Sequence, residues 1–289
     1  MATIEVLLKD AQRRIRASPR VDLWRQYVAR MDADELMRSA LGRDFDYGDL
    51  KTEVTSADRR RFERMVVRRE DGEPVALIRG YIEFHGLELL VRRGVFTPRF
   101  SSESLADQAI KRLRGRHTPT AVDVACGAGA VALAVASRVR KARVYGVDIA
   151  PAAIRLSRQN ASRLGLANAR FAAGDLLSPL PASLRGEVDV ITIHPPYVTR
   201  SQVKTLPREI RDYEPRESLT DQSVDGLGLV RRLAPQARPW LRPGGWLLVE
   251  VAPDLARGVS RVMLREGYGK VASKRDAIGA TRVVVGSPS

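Results

Sequence analysis

From Thr120 to the end of the chain, short apolar runs alternate with longer segments of helical period. Strands are expected at 121–124, 143–147, 169–172, 188–193, 246–251, 269–273 and 282–286, and helices at 130–139, 152–164, 228–240 and 253–266. Parallel neighbours cannot be joined by a tight turn and need a crossover, usually a helix. This alternation therefore restricts the region to a mainly parallel sheet covered by helices on both faces. The last two strands lie too close in sequence for a crossover and read as an antiparallel pair at the sheet edge. Sheets of this kind bind ligands beyond the carboxyl ends of their strands.

One strand end stands out. Val190-Ile191-Thr192-Ile193 are all β-branched and read as a buried strand, which runs directly into His194-Pro195-Pro196-Tyr197. Neither proline has an N–H for the sheet ladder, and both hold the backbone extended, so the carbonyls before them stay free to accept hydrogen bonds. The result is a rigid, polar, aromatic-tipped turn where such a sheet does its chemistry.

The first 70 residues read as helices. Ile4, Leu7, Leu8, Ala11 and Ile15 recur at helical spacing, a short helix is expected within 21–29, and a third runs over 32–41 to Gly42. Thr55-Ser56-Ala57-Asp58 reads as a capping box for a helix carrying Phe62, Met65 and Val66. Residues 74–84 and 87–91 read as two strands around His85-Gly86. These patterns divide the chain into a helical domain at 1–73, a β-hairpin linker at 74–100 and an α/β domain at 101–289.

Composition narrows the function classes. A single cysteine, Cys126, excludes an intramolecular disulfide and points to a reducing, cytoplasmic setting. No apolar run approaches the ~18 residues of a membrane span. Three scattered histidines and one cysteine give no metal-ligand spacing. The net charge of +15 comes almost wholly from arginine. It suits an anionic partner, but the arginines are dispersed, and a nucleic-acid footprint clusters its charge. A nucleic-acid partner is therefore not expected.

Three aspartates mark successive strand ends. Asp123 precedes Cys126-Gly127-Ala128-Gly129, a glycine turn opening a helix. Asp148 follows Gly129 by 19 residues and suits a ribose diol, and Asp175, after Gly174, suits an adenine amino group. Each alone is as compatible with a helix cap or turn; three together favour a nucleoside site. The third glycine of a dinucleotide fingerprint and the Lys-Ser/Thr of a phosphate loop are both missing. Asp123 would repel a pyrophosphate and attract a cation. S-adenosylmethionine, which joins an amino acid, a sulfonium and a nucleoside, has that chemistry. The expected binding set is Asp123, Cys126, Gly127, Gly129, Asp148, Ile149, Asp175 and Leu176, with His194 alongside.

These motifs together resemble a class I S-adenosylmethionine-dependent methyltransferase. That implies a Rossmann-like, mainly parallel seven-stranded sheet. Further stretches resemble the HemK/PrmC family, the glutamine N5-methyltransferases of peptide-chain release factors: Pro74 to Gly80, Glu83-Phe84-His85-Gly86-Leu87, Thr97-Pro98-Arg99, Tyr213-Glu214-Pro215-Arg216 and Asp225-Gly226-Leu227. Two departures separate the chain from that pattern. The family carries Asn-Pro-Pro-Tyr where this chain has His194, and Pro-Glu-Thr-Glu where it has Phe100-Ser101-Ser102-Glu103. Histidine lacks an amide's paired donor and acceptor, so a different planar nitrogen is expected. A guanidinium is the nearest relative, and the chain resembles the divergent branch that methylates free L-arginine in streptozotocin biosynthesis.

The expectation is therefore an N-methyltransferase acting on L-arginine in antibiotic biosynthesis, as monomer or homodimer. Release-factor glutamine and nucleic-acid adenine are the alternatives. On this reading His194, the carbonyl of Pro195 and Tyr197 orient the nitrogen. Carboxylates of the segment Glu209 to Glu217, with Glu214 and Glu217 foremost, orient a charged substrate or take its proton. The helical domain then caps the substrate side.

Overall fold

A computed structural model describes residues 2–289. The chain packs as two compact units, Met1–Tyr81 with Thr205–Glu214, and Ile82–Lys204 with Pro215–Ser289.

The first unit holds α1 (Ile4–Ala17), α2 (Leu23–Tyr27), α3 (Ala29–Leu41), α4 (Ser56–Glu70) and α5 (Val75–Arg79). Ile4, Leu8, Ala11 and Ile15 of α1 are buried against Leu36 and Met37 of α3 and Phe62 and Val66 of α4. Thr55 caps α4 by accepting from the Asp58 N–H at 3.1 Å. The short helix expected within 21–29 forms as Leu23–Tyr27, and α3 starts at Ala29, three residues earlier than expected. One expectation fails here. Residues 75–79, expected as strand, form α5. Pro74 precedes the helix, Gly80 ends it in the left-handed region at φ 82°, and Val75 and Ile78, three apart, point into the helical core. Burial on a helical face outweighs the weak strand preference of Val and Ile.

The segment Thr205–Glu214, which the expected boundaries put in the α/β domain, packs with the helices instead. Its short helix α9 (Arg208–Arg211) starts on Asp22, whose carboxylate accepts from the N–H groups of Arg208 and Glu209. Glu209 is buried and accepts from Arg69 at 2.7 Å. Arg69 is fully buried and also donates to Asp32 at 2.7 Å, while Arg25 lies 3.3 Å from Glu209. Two carboxylates and two guanidiniums thus satisfy one another inside the unit. Removing one partner of such a group leaves an uncompensated buried charge. Glu209→Gln is expected to destabilise the helical unit by about 3 kcal/mol, read as accelerated hydrogen exchange in α3 and α4.

The second unit begins with the hairpin of β1 (Tyr81–Phe84) and β2 (Leu87–Leu90), followed by α6 (Glu103–Leu113). Then come β3 (Thr120–Val124), α7 (Ala130–Arg138), β4 (Arg143–Asp148), α8 (Pro151–Arg163), β5 (Ala169–Ala173) and β6 (Val188–Ile193). After α10 (Gly228–Ala237) follow β7 (Leu241–Glu250), α11 (Ala256–Arg265), β8 (Ala272–Arg275) and β9 (Thr281–Gly286). The seven-stranded sheet has the order β5-β4-β3-β6-β7-β9-β8. β5 to β7 are parallel, and β8 and β9 are antiparallel to their neighbours. The result is the Rossmann-like, mainly parallel seven-stranded sheet that the resemblance implied, with a helical N-terminal region. The last strand lies inside the sheet, between β7 and β8, so β8 alone forms that edge; it begins at Ala272, three residues later than expected.

Alternation along β3 and β6 sends side chains to both faces. Ala121 and Val190 pack with Leu105 and Leu133 on one side; Val122, Ile191 and Ile193 pack with Leu233 and Val259 on the other. β6 is buried at every position. No helix among the described residues is long and apolar enough to cross a membrane.

Candidate active site

The chain leaves β3 for β4 and β5 on one side of the sheet and later returns to β6 and β7 on the other. β3 and β6 are neighbours, with Val124 beside Ile193, so their carboxyl ends flank the switch point where open α/β sheets form a crevice. A cavity of about 340 Å³ opens there. Asp123, Cys126, Gly127, Asp148, Ile149, Asp175, Leu176 and His194 line it, as do Pro196 and Glu217. Gly129 and Pro195 do not. Gly129 sits just before α7 in the left-handed region at φ 86°, and a Cβ there would meet Ser157 at 3.0 Å. It lets the helix start close against α8 rather than contacting a ligand.

Burial shapes the acids. Asp123 is 4% exposed and accepts from the Thr192 hydroxyl at 2.7 Å and the Ala132 N–H at 3.3 Å. Desolvation, reinforced by the nearby Asp148 and Glu250, outweighs these bonds and pushes its carboxyl up to about 7. Asp148 accepts from Gly127 N–H and Ala150 N–H, both at 2.9 Å, which fixes its carboxylate at the cavity wall. Burial raises its pKa as well, against those two bonds. Asp175 is exposed and pairs with Arg232. Ile149 is 68% exposed beside Asp148, an apolar face at the cavity mouth. Burial drives the Cys126 thiol well above its usual range, so it is a wall atom and not a nucleophile. The cavity pairs desolvated carboxylates with apolar walls. Those residues fit S-adenosylmethionine: the acids suit its ammonium and ribose, the apolar faces its adenine.

The turn after β6 holds the other half of the site. His194 stacks on Tyr197 with centroids 5.6 Å apart, and Phe96 meets it edge-on at 5.3 Å. Tyr197 is a partner of His194 and does not line the cavity. Its backbone bridges to Thr220. Gly226 presses against the same turn, since a Cβ there would lie 2.1 Å from the Tyr197 carbonyl oxygen. Burial lowers the His194 pKa from 6.5, against the pull of Glu250 and together with the repulsion of Arg99. His194 is therefore neutral at pH 7.

Glu250 is a site residue that sequence reasoning missed. Ile193 pairs with Val249 across parallel strands, so the next residues, His194 just past β6 and Glu250 at the end of β7, stand side by side. Their separation is 3.5 Å, from Nδ1 to Oε2. The signal was present: a carboxylate ends a strand of otherwise apolar residues next to the His-Pro-Pro turn. Glu214 belongs to the helical unit and does not line the cavity. Of the expected acidic segment, only Glu217 reaches the cavity wall, and Glu209 is committed to Arg69.

Comparison with known proteins identifies both parts of the chain. Residues 118–251 match the model of a methyltransferase domain, and residues 25–80 match that of the PrmC N-terminal domain. The chain is 35% identical over 265 residues to the release factor glutamine methyltransferase of Geobacter sulfurreducens, covering 89% of both. It is 37% identical over 212 residues to that of Moorella thermoacetica, covering 73% of both. The fold matches T. Thermophilus 16S rRNA N2 G1207 methyltransferase, solved with AdoMet and guanosine, with a TM-score of 0.54 and 19% identity over 72% of this chain and 50% of that one. The chain is an S-adenosylmethionine-dependent methyltransferase. These relatives overturn the expectation of free L-arginine as substrate and of a role in antibiotic biosynthesis. One substituted residue, His194, carried that expectation, and it is outweighed by similarity spread over nine-tenths of the chain. By the extent of that similarity, the chain belongs to the release factor glutamine methyltransferase family.

Proposed function

We propose that the chain methylates the side-chain amide nitrogen of a glutamine in a peptide-chain release factor. The observation that carries this reading is the length of the match to the relatives, 89% of the chain. A methyltransferase domain alone serves many substrates, whereas here the segment 25–80 matches the PrmC N-terminal domain as well.

In this reading Asp123 takes the ammonium of the cofactor, Asp148 its ribose, and Asp175, Leu176 and Ile149 surround its adenine. Bound S-adenosylmethionine supplies an electrophilic methyl group on its sulfonium. The chain's task is to make an amide nitrogen nucleophilic, because amide resonance withdraws its lone pair. His194 accepts one N–H and the Pro195 carbonyl the other. Two acceptors on the hydrogens return electron density to nitrogen and fix its direction, and alignment supplies much of the rate. Tyr197 holds the imidazole by stacking, and Glu217 borders the entrance.

The test is methyl transfer from labelled S-adenosylmethionine to a purified release factor. Label is expected on one glutamine and should vanish when that glutamine is replaced by alanine. A release factor left unlabelled by active, cofactor-binding enzyme would overturn the reading. His194→Ala is expected to lower kcat on the release factor roughly 100-fold, the scale of a lost hydrogen-bonding or general-base group. Unchanged turnover would remove His194 from the chemistry.

A further inference from the structure

Two stretches far apart in the chain, the one after Arg99 and the turn after β6, meet in space. Ser102, in the altered stretch after Arg99, has its hydroxyl 3.3 Å from His194 Nδ1. Its neighbour Ser101 donates to Glu250 Oε1 at 3.0 Å. The other oxygen, Oε2, is buried and has no hydrogen-bond partner among the described residues. It lies 3.5 Å from the same Nδ1.

We infer that Glu250, oriented by Ser101 and assisted by Ser102, is a positioning residue. It holds His194 in the Nδ1–H tautomer, so that Nε2 presents its lone pair to the substrate nitrogen. The inference rests on the proposed reading for what that nitrogen is, but not for the tautomer itself.

The argument is one of acceptors. With the proton on Nε2, the Nδ1 lone pair would face a buried carboxylate oxygen, and that oxygen would stay orphaned. With the proton on Nδ1, the Ser102 hydroxyl can accept from the N–H, and Oε2, 3.5 Å away, faces the positive end of a donor instead of a lone pair. Nε2 has no protein partner among the described residues, and His194 lines the cavity. The charged and titratable groups facing the ring are Glu250, Arg99 and Tyr197. Glu250 favours imidazolium and Arg99 opposes it. When the new carbon–nitrogen bond forms, the carbon–sulfur bond breaks and its electron pair stays on sulfur. The proton lost by nitrogen passes to Nε2, and the Glu250 carboxylate stabilises the imidazolium.

The full chain has three histidines, so long-range proton–nitrogen NMR spectra of ¹⁵N-labelled protein resolve His194 without any substrate. Protonated Nδ1 and unprotonated Nε2 are expected, with a titration midpoint below that of an ordinary histidine. In Glu250→Gln the midpoint should move further down, because the stabilising carboxylate is gone. The acidic limb of the kcat profile should move with it, and kcat at neutral pH should fall about tenfold. Protonated Nε2 in the unmodified chain, or an unmoved midpoint in Glu250→Gln, would overturn the inference. The unmodified chain decides the tautomer even if the variant fails to fold. The expected tautomer in a chain that leaves release factors unlabelled would refute the proposed substrate and leave this inference standing.

Discussion

Asp123→Asn is expected to weaken S-adenosylmethionine binding at least 100-fold while making the cofactor-free chain more stable at pH 8. Both effects come from one cause. Asp123 is buried, and without a ligand its carboxyl titrates near 7, far above the 3.8 of a free aspartate. An acid whose pKa is raised by folding contributes stability below its unfolded value and loses it as pH climbs through the folded one. Between pH 4 and 7 the folded chain binds more protons than the unfolded chain, so stability declines across that window and levels off above it. At pH 8 the ionised carboxylate costs roughly 4 kcal/mol. Asparagine removes that cost but gives up an acceptor for the Ala132 N–H, about 1 kcal/mol. A net gain of ~2–3 kcal/mol, on the order of 5 °C in the melting temperature of the α/β unit, should remain. The gain should shrink toward pH 4, where the native aspartate is protonated.

A cationic ligand reverses the balance. In the proposed reading the ammonium of the cofactor would pair with ionised Asp123 and offset what that ionisation costs. Cofactor affinity in the unmodified chain should therefore rise with pH up to about 7 and then flatten, as the site no longer has to surrender a proton. Calorimetric titration from pH 5.5 to 8.5 checks both statements. An affinity independent of pH, or an Asp123→Asn chain that binds normally, would show that the carboxylate does not face the charged end of the cofactor.

The parts of this site that were legible in the sequence are those set by local order. Asp123, Asp148 and Asp175 each lie at or just past the carboxyl end of their own strand, so reading the strands placed them. Gly127 and the His-Pro-Pro turn were visible for the same reason. What remained hidden depends on residues far apart in the chain. Ser101 meets Glu250 across 149 positions, and Arg69 meets Glu209 across 140. No periodicity carries such pairings. Glu209 was grouped with substrate-orienting carboxylates because its run is acidic, while the arginine that neutralises it lies on α4. The same blindness inflated His194. Taken alone, it suggested a new substrate; in the fold it is one member of a contact group with Glu250 and Ser102, and Ser101 bonds that same glutamate.

Gly226→Ala is expected to abolish methyl transfer without touching any residue that contacts the cofactor or the substrate amide. Gly226 has φ 69°, a region an alanine enters only with strain, and its absent side chain is what admits the Tyr197 carbonyl. A Cβ would sit 2.1 Å from that oxygen, a backbone atom that cannot rotate away. Either the loop around Gly226 or the turn itself must move by an ångström or more. The loop is tied down next door, where Asp225 pairs with Arg231 and Asp221 accepts from the Leu229 N–H. The turn is the softer side, because it leaves the sheet after Ile193 and is held beyond it by the Tyr197–Thr220 bridge. A shift of about 1 Å at a positioning group costs on the order of 100-fold in rate. Here it would displace His194 and the Pro195 carbonyl together, so kcat should fall by 100-fold or more. Asp123 and Asp148 lie on β3 and β4, outside the strained loop, and cofactor affinity should change less than about threefold. That split between lost turnover and retained binding separates a displaced turn from a collapsed domain. Loss of cofactor binding in a folded Gly226→Ala chain would mean that the turn and the nucleoside site are not independently held.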